Sequence, residues 1–246
     1  MPNIRQKVLN NVSVCFSHLM PQGYPLEKHR STIIARALGS NVTQDLQIDF
    51  NASTSLLKAI KVNDESIEIK HQKEHIIIPE NHLKKGENSI AISFDLGEQS
   101  LNRNNDFLYT LLVPDRASTL FPCFDQPDLK AKYHLTLTAP KDWQVLAGGK
   151  LTSSKASQEG FTTHVFNETD LMSTYLFSFV AGKFTEQTQN PGAFDMRFLY
   201  RENNPEKIAE SVGEVYKIHQ NAVDFLESYT AVPFPFQKMD FAAIPP

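Results

Sequence analysis

Residues 121–140 read FPCFDQPDLKAKYHLTLTAP. The first half is a turn: Pro122 and Pro127 pre-set φ and withdraw backbone donors on either side of Cys123 and Asp125, so the loop can be rigid without a ladder of hydrogen bonds. The second half sets Tyr133, Leu135 and Leu137 against His134, Thr136 and Thr138, the period of a half-buried strand. Within the turn, Asp125 is placed to accept backbone N–H bonds in an Asx-type arrangement.

The same alternation spreads outward from this stretch. DLQIDF alternates Leu46, Ile48 and Phe50 with polar neighbours; SIEIK does so with Ile67 and Ile69, and NSIAISFDL with Ile90, Ile92 and Phe94. HIIIP reads as a short buried run, and TYLFSFVAG is aromatic and β-branched enough to lie deep in a sheet. Turn formers separate them: Val62-Asn63-Asp64, Lys85-Gly86-Glu87-Asn88, Gly148-Gly149 and Ser157-Gln158-Glu159-Gly160. Many short strands at this spacing predict a mainly β chain, an antiparallel sandwich or saddle-shaped sheet.

After Asn190-Pro191-Gly192 the pattern changes. One more strand, FDMRFLY, leads to Asn204-Pro205, an N-cap followed by proline at the first helical position. The helix then places Ile208, Val212, Val215, His219, Ala222, Leu226 and Tyr229 on one apolar stripe and ends before Pro233. KMDFAAI follows as a strand and stops at Pro245-Pro246. Strand, helix and strand begin an α/β unit, so the expected division is a β-domain over 1–190 and the start of a second domain over 191–246. The stripe on helix 205–229 is expected to fold back onto the sheet or to drive self-association.

The 246 residues are 41% hydrophobic and 21% charged, with a net charge of −4. A pI of about 6.1 and a mean hydropathy of −0.33 complete the profile of an ordinary globular chain. No basic field is large enough to grip a phosphate backbone, so nucleic acid is not an expected partner, and no apolar run is long enough for a membrane span. The first twenty residues lack the apolar core of a secretory signal. That implies the cytoplasm, or the periplasm or exterior if a signal has been removed. Cys15 and Cys123 are too few for a disulfide framework, and two buried free thiols are expected. The sequons at Asn11, Asn41, Asn51 and Asn167 fit chance in an Asn- and Ser/Thr-rich chain.

HQKEH, residues 71–75, fits the H-x-x-E-H signature of a zinc peptidase. That chemistry needs a helix, where residues four apart share a face. The flanks here are strand-like, and extended backbone would set the two histidines ~13 Å apart. A hairpin tip is the expected reading, with no metal site. His219 is expected as a packing residue, since no ligand partner stands one turn away. No G-x-S-x-G elbow, phosphate loop or dinucleotide fingerprint is present.

LLVPDRASTLFPCFDQPDLKAKYHLTLTAPKDWQVLAGG resembles the signature region of the amino-terminal domain of the aminopeptidase N family of zinc metallopeptidases. The matching residues are Phe121, Pro122, Cys123, Phe124, Asp125, Pro127, Lys130 and Ala131, with Gln126 where a glutamate is usual. TDLMSTYLFSFVAGKF is similar to a second family strand through Met172, Ser173, Thr174, Tyr175 and Leu176. YTAVPFPFQKMDFAAIPP is similar to the run leading to the active site through Pro235, Phe236, Lys238 and Asp240. The resemblance implies a saddle-shaped β-domain followed by the first strand, helix and strand of a thermolysin-like domain, cut from a longer peptidase before its catalytic motifs. The longer enzyme would be a zinc aminopeptidase acting on peptide substrates, and the partner of this chain would be the rest of its own catalytic domain. No catalytic residue and no zinc are expected within the 246 residues. The turn would act as a brace for residues 111–115, a wall of the cleft that includes Leu111, Val113 and Pro114. Family members often carry polar residues at the positions of Leu111 and Val113, where they help hold the substrate's amine, and these two side chains accept no hydrogen bond. Amine recognition would then rest elsewhere, or the substrate preference has changed. A catalytically dead scaffold relative and a free-standing β-sandwich binding module are the alternatives. An unpartnered helix stripe speaks against the latter.

Overall fold

The computed structural model describes residues 11–16, 31–39, 44–157, 160–189, 194–236 and 238–244, and within 11–16 and 33–39 the backbone only. The Cys15 side chain, the Asn41 sequon, the break at Asn190-Pro191-Gly192 and the Pro245-Pro246 stop lie outside the described residues. The early strands are β1 (Asn11–Phe16), β2 (Ser31–Gly39), β3 (Leu46–Asp49), β4 (Leu57–Val62), β5 (Glu65–Ile67), β6 (His71–Gln72) and β7 (His75–Ile78). There follow β8 (Gly86–Phe94), β9 (Leu101–Arg103), β10 (Phe107–Thr110), β11 (Lys130–Pro140) and β12 (Gln144–Ala147). The series continues with β13 (Leu151–Ala156), β14 (Phe161–Phe166), β15 (Met172–Ser173), β16 (Phe179–Gly182), β17 (Thr185–Gln189) and β18 (Asp195–Tyr200). A single long helix among the described residues, α1 (Pro205–Thr230), precedes β19 (Lys238–Ala242).

Two compact units result: residues 1–141 with 147–181, and residues 142–146 with 182–246. The chain is mainly β and its sheets are mostly antiparallel. In the first unit a large sheet runs in the order β13-β14-β11-β1-β2-β8-β4-β5, with β15 added beside β11. A second sheet has the order β3-β7-β6, and β16, β10 and β9 lie side by side in another. Alternation explains the core: Leu46, Ile48 and Phe50, then Ile90, Ile92 and Phe94, then Tyr133, Leu135 and Leu137 are all buried.

Three local features differ from the sequence pattern. β1 pairs with β11 in parallel, Asn11 opposite Lys132; a parallel pair needs a long crossover, which no local alternation reveals. β7 is not a fully buried run but alternates, with Ile76 and Ile78 buried and His75 and Ile77 partly exposed. In TYLFSFVAG, residues Thr174–Leu176 form a 3-10 turn and only Phe179–Gly182 is strand.

The hairpin tips follow from backbone sterics. Asn63 and Asp64 between β4 and β5 have φ of 51° and 71°, and Lys73 and Glu74 between β6 and β7 have 46° and 67°. Positive φ at both central residues is the type I′ turn, whose twist matches that of the strands it joins. The HQKEH segment is therefore a tight hairpin.

In the second unit β17 pairs antiparallel with β18, and β18 pairs in parallel with β19 after the crossover through α1. Asn204 caps α1, its side chain accepting from the N–H groups of Glu206 and Lys207 at 2.9 and 3.2 Å, with Pro205 at the first position. Val212, Tyr216 and Val223 bury against Phe194, Met196 and Phe198, with Ile208, Val215, Met239 and Phe241 around them. The stripe thus folds onto its own sheet in its first half. The second half departs from expectation, because Leu226 and Tyr229 are 53% and 79% exposed while Tyr216 and Val223 take the inner positions. His219 packs its ring on Phe241 with centroids 4.5 Å apart and donates from Nδ1 to the Val215 carbonyl at 2.8 Å. No helix of the described residues is long and apolar enough to cross a membrane.

Candidate functional site

The turn after residue 120 is buried from Phe121 to Asp125 and surfaces at Pro127. Beneath it lies an aromatic cluster: Phe121 meets Phe177 edge to face at 5.4 Å between centroids, and Phe177 meets Tyr133 at 4.8 Å. Asp125 accepts a backbone N–H as expected, but from Ser118 seven positions back rather than from within an Asx-type turn, and further contacts reach distant segments. Cys123 and Asp49 exchange both backbone hydrogen bonds at 2.8 and 3.0 Å. The Asp125 N–H donates to Asp49 Oδ2 at 3.0 Å, and Asp125 Oδ2 accepts the Ser118 N–H at 2.8 Å. The Thr174 hydroxyl donates to the Phe124 carbonyl at 2.8 Å and lies 2.7 Å from the Tyr133 hydroxyl, while Ser173 donates to the Pro127 carbonyl.

Burial raises the Asp125 carboxyl above the usual carboxylate range, opposed by the Ser118 N–H and reinforced by Asp115 and Asp49. The Cys123 thiol is pushed well up by burial and, secondarily, by Asp125 and Asp49, which keeps it from acting as a thiolate. Tyr133 is likewise raised, chiefly by burial, so it serves as a hydrogen-bonding core residue.

Upstream, Leu111 and Val113 are 60% and 50% exposed, with Leu112 buried between them and Pro114 exposed beyond. Asp115 turns the chain with φ of 70°. Both ends of this segment are anchored: the Leu111 N–H donates to the Ser100 carbonyl at 3.2 Å, and the Ser100 and Thr119 hydroxyls donate to the Arg116 carbonyl at 3.1 and 2.7 Å. Gly97 donates to the Leu120 carbonyl at 3.0 Å, and a Cβ on it would stand 1.7 Å from the Thr119 carbonyl oxygen, so only glycine fits. Leu111, Val113 and Pro114 are therefore brought to the surface on a loop whose two ends are tied to the body of the unit. Asp49 and Ser118, which complete the turn, carry no local signal in the sequence, whereas Thr174 lies in the segment that resembles the second family strand.

The histidines of HQKEH do not fit a zinc ion. They lie on opposing strands, with His71 opposite Ile76 and His75 opposite Gln72. Both ring nitrogens of His71 are engaged, Nε2 with the Phe50 carbonyl at 2.9 Å and Nδ1 with the Thr54 hydroxyl at 2.7 Å. Nδ1 of His75 stands 3.0 Å from Asp49 Oδ1. Among the described residues no group of three or more His, Cys, Asp or Glu is placed to hold a metal ion.

Residues 38–176 match the Peptidase M1 N-terminal domain. Aminopeptidase N of Plutella xylostella is 34% identical over 142 residues, covering 54% of this chain and 14% of that protein. The human thyrotropin-releasing hormone-degrading ectoenzyme is 30% identical over 139 residues, covering 55% of the chain and 13% of that protein. The chain thus spans about a seventh of the length of these curated relatives. The crystal structure of Legionella pneumophila aminopeptidase A in complex with aspartic acid shares the fold at a TM-score of 0.81 and 18% identity, over 96% of this chain and 28% of that one. With its signature turn inside the matched region, this chain belongs to the Peptidase M1 N-terminal domain family.

Proposed function

We propose that this chain is the cleft-forming, non-catalytic amino-terminal part of a zinc-dependent aminopeptidase that removes residues from the amino ends of peptides. The observation that carries the reading is the match of residues 38–176 to the N-terminal domain of the M1 peptidases. The names of the relatives, aminopeptidase N among them, support it. In this reading Leu111, Val113 and Pro114 present an apolar wall to the substrate, and the turn from Phe121 to Pro127 holds that wall in place. The second unit opens a thermolysin-like domain. The zinc would be held elsewhere in the longer protein, because the described histidines do not fit it.

The test is zinc content and hydrolysis of aminoacyl arylamides by the full-length natural protein, with residues 1–246 alone in parallel. About one zinc per chain and turnover only in the longer form are expected. Absence of both in the full-length protein overturns the reading in favour of a scaffold relative. Zinc bound by residues 1–246 alone would return the site to His71 and His75.

A further inference from the structure

Polar contacts among residues 49–51, 118 and 123–125 close into a ring. Asp49 pairs with Cys123 through both backbone groups, and its Oδ2 accepts the Asp125 N–H at 3.0 Å. Asp125 Oδ2 accepts the Ser118 N–H at 2.8 Å, and the Ser118 carbonyl accepts the Asn51 N–H at 2.8 Å. The short run from Asp49 to Asn51 completes the circuit. Asp49 grips the turn with its backbone and its side chain together, and its other oxygen stands 3.0 Å from His75 Nδ1 across the β3–β7 pair. Residues 111–116 are tied at both ends to Ser100, and from Arg116 the chain runs on through Ala117 into this ring at Ser118.

We propose that Asp49 is a positioning residue for the cleft wall. Its carboxyl group seats the turn, and through Asp125 and Ser118 it sets where Leu111, Val113 and Pro114 stand. This rests on the aminopeptidase reading only for the wall's contact with substrate; the mechanical coupling stands on the contacts alone. A network of this kind is cooperative, so loss of one member releases groups that Asp49 never touches.

The experiment compares the full-length natural protein with its Asp49→Ala and Asp49→Asn variants by two readouts. The first is amide hydrogen exchange, which needs no activity. In Asp49→Ala the hydrogen-bonded amides of residues 111–120, those of Leu111, Arg116, Ser118, Thr119 and Leu120, should exchange roughly tenfold faster while those of β11 keep their rates, the factor expected for one lost hydrogen bond. In Asp49→Asn, whose amide oxygen still accepts from Asp125, the increase should be about threefold. That variant keeps the comparison decisive if Asp49→Ala does not fold. Unchanged exchange in residues 111–120 of a folded variant overturns the proposal, as does acceleration spread evenly through the unit, which is mere destabilisation. The second readout is steady-state kinetics with aminoacyl arylamides on zinc-loaded protein. KM should rise roughly tenfold in Asp49→Ala with zinc content and kcat within about twofold, and Asp49→Asn should fall between. A loss confined to kcat overturns the positioning role. A wild-type protein without turnover defeats the aminopeptidase reading instead, and the exchange data then still decide for or against Asp49.

Discussion

Asp125 is a buried acid with its two oxygens in different circumstances. Oδ2 accepts the Ser118 N–H, whereas Oδ1 is buried without a hydrogen-bond partner among the described residues. Burial is the largest influence on its carboxyl and raises its pKa above the ordinary 3.8. The native state therefore holds this proton more tightly than the unfolded chain. The stabilisation from the group is fully present below pH 3.8 and is lost as pH rises through the folded-state pKa. Asp125→Asn keeps an acceptor for Ser118 and cannot ionise, so it should remove this decline and be at least as stable as wild type at neutral pH. Asp125→Ala leaves the Ser118 N–H unsatisfied and should cost about 1–3 kcal/mol. Urea unfolding between about pH 3 and 8 checks both; parallel pH profiles for wild type and Asp125→Asn would refute the assignment. The turn itself is legible from Pro122 and Pro127, but the partners of Asp125 are not. An Asx-type bond would have stayed within the turn, whereas the carboxylate accepts from Ser118 seven positions back and the Asp125 N–H donates to Asp49 across 76 positions.

At the level of the element, α1 shows how far a pattern carries. Its start is read directly from Asn204-Pro205, because a cap involves only neighbouring residues. Its inner face is read less well. A stripe stepping alternately by four and three has a period of 3.5, and a straight helix drifts about 20° per heptad away from it. The stripe is therefore right near Val212 and Val215 and has slid to the surface by Leu226 and Tyr229, while Tyr216 and Val223 remain inside. Expected costs follow this division: Val212→Ala should destabilise the unit by about 2 kcal/mol, and Leu226→Ala should stay within about 0.5 kcal/mol. Denaturant melts of the two variants side by side provide the check, and a larger loss at Leu226 would mean that further packing covers the outer face.

For the whole molecule, the proposed role depends on two exposed apolar side chains carried by anchored backbone. Leu111→Gln and Val113→Gln remove little buried area, so each should leave the melting temperature within about 2 °C. In the longer protein each should change KM for aminoacyl arylamides several-fold, since a polar group would then face the substrate's amine. Unchanged KM in both would separate these residues from the cleft. The sequence by itself determined the β class, the turn, the hairpin tips, the helix start and the family resemblance. All but the last are written in neighbouring residues through alternation, φ preference or capping, and the resemblance lies in the motifs around residues 121–131, 172–176 and 235–240. Only the tertiary structure decided that β1 runs parallel to β11, that the helix turns Tyr216 and Val223 inward, and that Asp49 and Ser118 complete the turn. The reason is physical: strand pairing and polar clamps join residues far apart along the chain, and a residue's local pattern states whether it is buried but not which distant group it meets.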